Sequence, residues 1–372
     1  MGPAPVSAAS ALPPEDPTPA RRPGVGTVIR HLLGVGLMIA GLWATIELFL
    51  HRSAGQQIDE TALAEVSNRL QRYTAQSSSL LNALPAISAG LAVAGILIVL
   101  FRRHRFAPAL VGVLVAVGAN GSAQLLKSTL VKPNLGIQDA VLNSLPSGHT
   151  TFAMAAGSAL FLAAPRRWRP GLAILMCAFA VVTGVATVIN GWHRPADVVA
   201  AIFLVSAWTI LGMLVLRFLP AENRDESGTR FTGLLVIPLF TIFGLFLGFT
   251  ALVTYLVSTY QHYPGAALLG SLCLIGAVGM LCTALIVCFL RGGLRAPVER
   301  AYTKVWTYCP LPHGRARKAL GLRLTGAQTC SPRVMGPVAP SGVSSATSAS
   351  PVRPWDLSHS SRSRSTRVTP AS

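Results

Sequence analysis

Long apolar runs separated by short polar segments dominate the chain between residues 27 and 290. A membrane-spanning helix needs about 17–25 mostly apolar residues, and the pattern predicts eight of them. Their predicted bounds are 27–50, 86–101, 107–127, 149–165, 171–191, 196–218, 233–257 and 266–290, of which the second and fourth are short. The sequence therefore predicts an all-α integral membrane protein.

The polar segments divide the chain into five predicted parts. Residues 1–26 form an N-terminus rich in Pro and Ala, and residues 291–372 a basic tail rich in Ser and Pro. Both compositions are typical of disorder. Between them lie a six-span unit at 27–218, a linker at 219–232 and two further spans at 233–290.

The segment between the first two spans, His51 to Ala86, mixes apolar and charged residues. The apolar positions are Leu63, Val66, Leu70, Leu80 and Leu81, and the charged ones are Glu60, Glu65, Arg69 and Arg72. This pattern indicates an amphipathic helix lying on the outer membrane surface. A solvated connector is the alternative interpretation.

Composition agrees with a membrane protein, because 51% of the residues are hydrophobic and only 12% are charged. Soluble domains carry about 25% charged residues. The net charge of +18 is concentrated in the tail, where 13 Lys/Arg against 2 Asp/Glu from Arg291 onward give +11. Most of the remaining basic residues lie in short loops, which is the positive-inside pattern and not that of a nucleic-acid-binding surface.

The basic loops also predict an orientation. With eight spans, clusters such as Arg102-Arg103 and Arg166-Arg167 fall on one side together with both termini. That side is predicted to be cytoplasmic. The loops 128–148 and 192–195 then lie on the outer face of a cell membrane.

Both outer loops end in a motif with a histidine. His193-Arg194-Pro195-Ala196-Asp197 opens the sixth span. One helical turn separates His193 from Asp197, so the carboxylate can fix one imidazole nitrogen and leave the other as a nucleophile. The residue pattern therefore predicts a histidine–aspartate pair at the membrane edge.

The second motif, Pro146-Ser147-Gly148-His149, opens the fourth span. Glycine and the unpaired amides of a helix start favour a bound anion, for which Ser147 and Gly148 are candidate donors. His149 is a candidate general acid for a leaving oxygen. Lys127 and Lys132, at the end of the third span and in the following loop, are candidate phosphate-binding cations.

With these motifs the chain resembles the type 2 phosphatidic acid phosphatase superfamily, lipid phosphate phosphatases that share a fold with vanadium-dependent haloperoxidases. Its signature is Lys-x6-Arg-Pro, Pro-Ser-Gly-His and Ser-Arg-x5-His-x3-Asp. The resemblance covers roughly residues 27–218 and implies a six-helix phosphatase core, to which two additional C-terminal transmembrane helices are joined here.

The resemblance also implies roles for individual residues. His193 would be the nucleophile that forms a phosphohistidine, Asp197 its orienting partner and His149 the acid for the leaving group. The phosphate would be held by Lys127, Ser147 and Gly148. No metal and no cofactor are implied.

Two arginines of the family signature are missing. Asn134-Leu135 stands where the first motif has Arg-Pro, although Lys132-Pro133 lies two residues earlier. Ala186-Thr187 stands where the third motif has Ser-Arg. A lysine cannot copy the bidentate geometry of arginine, so the phosphate clamp is depleted. Arg194, beside the predicted nucleophile, is a candidate substitute.

The expected function is hydrolysis of a lipid phosphomonoester or diphosphate, of the phosphatidate or polyprenyl type, at the outer face of the membrane. The expected partners are the membrane and the phosphorylated lipid, and no nucleic acid. The missing arginines favour an alternative, a catalytically weakened homologue that binds or moves phospholipids. Haloperoxidase chemistry ranks lower because the chain is a membrane protein with a depleted anion clamp, and no inverted repeat supports a transporter.

Overall fold

The computed structural model describes residues 23–103, 106–137, 143–219 and 230–290. All of them lie in the first of two compact units, Met1–Ala301. The predicted tail at 291–372, most of the N-terminal segment and most of the linker at 219–232 lie outside the described residues.

Nine α-helices make up the described part of the chain, which confirms the all-α prediction. They are α1 Val25–Thr45, α2 Ser53–Arg69, α3 Thr74–Arg103, α4 Phe106–Thr129, α5 Gly148–Ala163, α6 Arg169–Ile189, α7 Pro195–Phe218, α8 Arg230–Gln261 and α9 Ala266–Leu290. A π-helical turn, Ile46–Leu50, continues α1, and a short 3-10 turn, Gln71–Tyr73, precedes α3.

Seven helical segments among the described residues are long and apolar enough to cross a membrane, one fewer than the sequence pattern predicts. They are Val25–Leu50, Gln71–Leu97, Phe106–Thr129, Arg169–Ile189, Pro195–Phe218, Leu235–Gln261 and Ala266–Leu290. The second begins well before the predicted residue 86, because α3 includes the Ser-rich stretch ahead of its apolar half. The predicted fourth span corresponds to α5, which has only 16 residues.

The short helix α5 nevertheless lies at the centre of the bundle, against α3, α4, α6 and α7. Its Ser158 hydroxyl lies 2.8 Å from Thr209 Oγ1 of α7. A Cβ added to Gly112 of α4 would come within 2.5 Å of the Ala159 carbonyl oxygen, so the glycine allows close backbone approach. These contacts hold the C-terminal part of α5 against α4 and α7.

Helix α2 corrects the prediction for the segment after the first span. The segment is helical over Ser53–Arg69, but Leu80 and Leu81 belong to α3. Part of the polar surface of α2 does not face solvent, because Asp59 and Glu60 are buried. Helix α2 packs across the ends of α6, α7 and α9, where its acidic residues Asp59, Glu60 and Glu65 find partners.

The two additional C-terminal helices are part of the same bundle. Helix α9 is largely buried and packs against α6, α7 and α8. Helix α8 lies outside α9 and exposes apolar side chains along most of its length. Close packing of the pair is possible because a Cβ at Gly244 would meet Leu281 at 2.8 Å.

Arginines mark one end of the bundle. Arg166 donates a hydrogen bond to the Leu290 carbonyl at the end of α9, and Arg217 donates one to the Phe289 carbonyl (3.2 Å). The start of α1 lies at this end too, because the His31 and Phe289 rings are 4.8 Å apart. Helix α9 extends about 37 Å from here to the opposite end, where both sequence motifs lie.

Candidate active site

The two histidine motifs meet through the backbone at the end of the bundle opposite the arginines. The Ser147 amide donates a hydrogen bond to the Asp197 carbonyl oxygen (2.9 Å), so the start of α5 is tied directly to the start of α7. Residues far apart in sequence are thereby placed at one site.

The start of α7 positions the histidine–aspartate pair. Pro195 suits the first helical turn because its missing N–H would have no partner there. The His193 backbone is held by the Thr187 carbonyl of α6, 3.4 Å from the His193 amide. Its ring Nδ1 lies 3.2 Å from Asp197 Oδ2, one helical turn on. With Nδ1 as the donor, Nε2 carries the lone pair that a nucleophile needs.

Asp197 Oδ2 accepts two further hydrogen bonds. The Arg194 amide donates one at 3.0 Å and the Ser144 hydroxyl donates one at 2.6 Å. The Asp197 side chain is only 4% exposed, and a buried carboxylate is costly unless donors surround it. Three donors on one oxygen fix its position and, through it, the orientation of the His193 ring.

His149 and Lys127 complete the group on the histidine side. The His149 ring lies 5.4 Å from the exposed Trp192 ring, and burial lowers the pKa of His149, as do the nearby His193 and Lys127. Lys127 Nζ lies 3.5 Å from the place where a Cβ on Gly148 would stand. The ammonium group therefore lies directly over the glycine at the start of α5, where the helix dipole favours an anion.

Ser147 has a structural task that the sequence did not reveal. It is the N-cap of α5, fully buried, and its hydroxyl oxygen accepts hydrogen bonds from the Thr150 amide (3.4 Å) and the Thr150 hydroxyl (3.1 Å). Its amide is already bonded to the Asp197 carbonyl. The amides of Gly148 and His149 are the helix-start donors next to Lys127.

Lys132 and Arg194, the other two predicted phosphate-binding residues, both pair with Glu60 of α2. Lys132 Nζ lies 3.4 Å from Glu60 Oε1, and Arg194 Nε donates to the same oxygen. Arg194 Nη1 also donates to Ser144 Oγ at 3.0 Å. Both cations thus lie on the Ser144 side of Asp197, and direct contact of either with phosphate remains a prediction.

Asp59 and Glu60 of α2 are the part of the site that sequence reasoning missed. Asp59 Oδ1 accepts from the Ala196 amide (3.0 Å), and Asp59 is only 2% exposed. Burial raises the pKa of the Asp59 carboxyl well above its usual range, and the nearby Asp197 raises it further. A signal was present, since Asp59, Glu60 and Glu65 are three of only 13 acidic residues in the chain.

No group of three or more His, Cys, Asp or Glu side chains suited to a metal ion occurs among the residues that the structure describes. Thr187, at the position of a family arginine, is buried, and its hydroxyl donates to the Gly184 carbonyl at 2.7 Å. The Thr187 hydroxyl therefore does not replace the missing arginine as a phosphate-binding group.

Comparison with known families agrees with the resemblance read from the motifs. The model of the PAP2 superfamily matches residues 120–221, a segment that runs from within α4 to just past α7 and includes both motifs. This superfamily consists generally of phosphatases that act on phosphate esters, often of lipids. The search of curated proteins and the search of solved structures gave no match.

Proposed function

We propose that the protein is an integral-membrane phosphatase that hydrolyses a lipid phosphomonoester or diphosphate through a phosphohistidine intermediate. The observation that carries the proposal is the His193–Asp197 pair (3.2 Å) at the start of α7. His149 and Lys127 lie beside this pair at the start of α5 and the end of α4. The match to the PAP2 superfamily over the same residues supports the reaction class.

The proposed chemistry has two steps. His193 Nε2 attacks phosphorus, the nitrogen–phosphorus bond forms, and the bond to the leaving oxygen breaks as His149 gives that oxygen its proton. A water molecule then attacks phosphorus, its oxygen–phosphorus bond forms as His149 takes the proton, and the bond to His193 Nε2 breaks to release inorganic phosphate. Asp197 stays ionised and stabilises the charged imidazole ring. The route uses protein groups alone, so phosphate release should persist in the presence of EDTA.

The phosphate would bind at the start of α5. Lys127 supplies a positive charge, the Gly148 and His149 amides supply donors, and the helix dipole adds to both. Because Gly148 has no side chain, phosphate oxygens can approach the backbone there. The Ser147 hydroxyl, as the helix cap, would hold these amides in place and keeps its own proton to donate.

A lipid substrate is favoured by the surroundings of the site. Trp192, Leu125 and Val131 near the motifs are exposed apolar residues, as expected where acyl or prenyl chains lie. We further propose that the site faces the outer side of a cell membrane and that both chain termini are cytoplasmic. The arginines gathered at the opposite end of the bundle support this orientation through the positive-inside rule.

The alternative, a weakened homologue that binds or moves phospholipids, rests on the two missing arginines. Asn134 is exposed, and the Thr187 hydroxyl is used within its own helix. Each lost donor to developing charge costs about 3–4 kcal/mol. If the remaining groups cannot offset that loss, the site would hold a phosphate without cleaving its ester.

The test is phosphate release by detergent-purified wild type and His193→Ala. The substrates are phosphatidate, a polyprenyl diphosphate and a soluble phosphomonoester. His51 offers a matched control, because its Nδ1 lies 3.3 Å from Glu47 Oε2, also one helical turn away, but both side chains are exposed. His51→Ala should therefore retain the wild-type rate.

Release by wild type and His51→Ala, with loss in His193→Ala, supports the phosphatase and ranks the substrates. Equal release by wild type and His193→Ala contradicts the nucleophile assignment. Specific binding of a phospholipid without release by wild type supports the alternative function.

A further inference from the structure

Glu60 brings a carboxylate into the site from an element that precedes the matched family segment. Its side chain is 8% exposed, and those of Lys132 and Arg194 are 7% and 13% exposed. Burying three charged groups is costly unless they compensate one another. Here one carboxylate oxygen contacts both cations, and the contacts join residues that are 72 and 134 positions apart.

The ion cluster is connected to the proposed nucleophile. Arg194 donates to Ser144 (3.0 Å), Ser144 donates to Asp197 (2.6 Å), and Asp197 holds the His193 ring (3.2 Å). Each member limits the orientation of the next, because every contact is a directional hydrogen bond. Glu60 stands at the far end of this series of contacts.

The space around the cluster does not suit a phosphate group. A small cavity, whose lining includes Glu60, Lys132, Ser144, Arg194 and Asp197, has room for about one water molecule. The lining of this cavity does not include Lys127, Gly148 or His149, the groups proposed to bind phosphate. Arg194 is therefore placed to support Asp197 through Ser144, and Lys132 to pair with Glu60.

Hydrogen bonds at two places on α2 hold the helix in position and thereby fix the position of Glu60. Asp59 accepts a hydrogen bond from the Ala196 amide at the start of α7. Glu65 accepts from the Gly265 amide (2.9 Å) and the Leu268 amide (2.8 Å) at the start of α9. The second additional helix thus anchors α2, and α2 carries Glu60 to the site.

We infer that Glu60 is a positioning residue for the His193–Asp197 pair. Glu60 fixes the positions of Arg194 and Lys132. Arg194 in turn orients the Ser144 hydroxyl that donates to the Asp197 carboxylate. This inference rests on the proposed phosphatase function and extends the site beyond the matched family segment to α2.

The test is steady-state kinetics and inhibition by inorganic phosphate for Glu60→Gln, Arg194→Gln and the double variant. We expect kcat to fall about 10- to 100-fold in Glu60→Gln, with KM and phosphate inhibition within about twofold of wild type. Because Glu60 acts through Arg194, the double variant should lose no more than the worse single variant.

The matched control is Glu65→Gln, which removes the same charge from the same helix but caps α9 and does not contact the site. It should lower the melting temperature and reduce kcat much less than Glu60→Gln does, because Asp59 still holds α2 at the Ala196 amide. The charge-balanced variant Glu60→Gln/Lys132→Met keeps the net charge unchanged. It removes the buried lysine together with its partner, so a loss of activity cannot be caused by an unpaired Lys132. It should show the same loss of kcat at unchanged KM.

Unchanged kcat in Glu60→Gln and in the charge-balanced variant would overturn the inference. So would tighter inhibition by phosphate in Glu60→Gln, since that result would make Lys132 and Arg194 phosphate ligands that Glu60 covers. Additive losses in the double variant would also overturn it. These results require an active wild type and an inactive His193→Ala, whereas an inactive wild type contradicts the proposed function and removes the basis of the inference.

Discussion

Gly148→Ala should lower the activity of the protein without lowering its stability. A Cβ at this position would have Lys127 Nζ as its nearest heavy atom, at 3.5 Å, which is an ordinary van der Waals distance. The fold therefore tolerates the methyl group, and replacing glycine by alanine at a compatible position stabilises a protein by about 0.4–1 kcal/mol. The same methyl group stands between the ammonium group and the helix-start amides, where phosphate is proposed to bind.

The expected loss follows from displacement of the phosphate. Moving a reacting group by about 1 Å costs about 100-fold in rate, which corresponds to about 2.7 kcal/mol in the transition state. The assay measures kcat/KM for phosphate release and the melting temperature in the same detergent. Gly171→Ala is the control, because Gly171 lies in the first turn of α6 with no heavy atom within 4 Å of an added Cβ. A Gly148→Ala variant that is as stable as Gly171→Ala and as active as wild type would refute the reasoning.

Three further predictions concern charge, packing and pH. Lys127→Met should lower kcat/KM about 100-fold and weaken competitive inhibition by inorganic phosphate, and unchanged inhibition would contradict its role. Gly184→Ala should lower stability by about 1–3 kcal/mol, measured by thermal unfolding, because its Cβ would lie 2.2 Å from Val198 Cγ1. Asp59 binds its proton more tightly in the folded state, so its contribution to stability should fall as pH rises from 3.8 to the raised pKa. Asp59→Asn removes this titration, and a difference in melting temperature that does not grow with pH would contradict the account.

The parts of the structure that the sequence predicted depend on local pattern. The predicted spans at 196–218 and 266–290 agree closely with α7 and α9, because an uninterrupted apolar run fixes the length of a membrane helix. The contact between His193 and Asp197 was also predicted from their spacing, although His193 lies before the first helical residue, Pro195, and reaches Asp197 across the helix start.

The parts that escaped prediction depend on contacts between distant segments. The amphipathic pattern of α2 shows that one side is polar, but it cannot show that Glu60 faces Lys132 and Arg194 instead of water. The burial of α9 could not be predicted from the sequence for a related reason. Its residues are apolar all round, so the sequence carries no stripe that distinguishes the packed side from the lipid-facing side.

The central claim, nucleophilic attack by His193, is tested most directly by trapping the intermediate. The purified protein is mixed with a phosphate-labelled lipid substrate, quenched at alkaline pH within a single turnover, digested and analysed by mass spectrometry. The account predicts an acid-labile phosphate on the peptide that contains His193, and none in His193→Ala. Phosphate release by wild type without such a label, or the same label in His193→Ala, would contradict it.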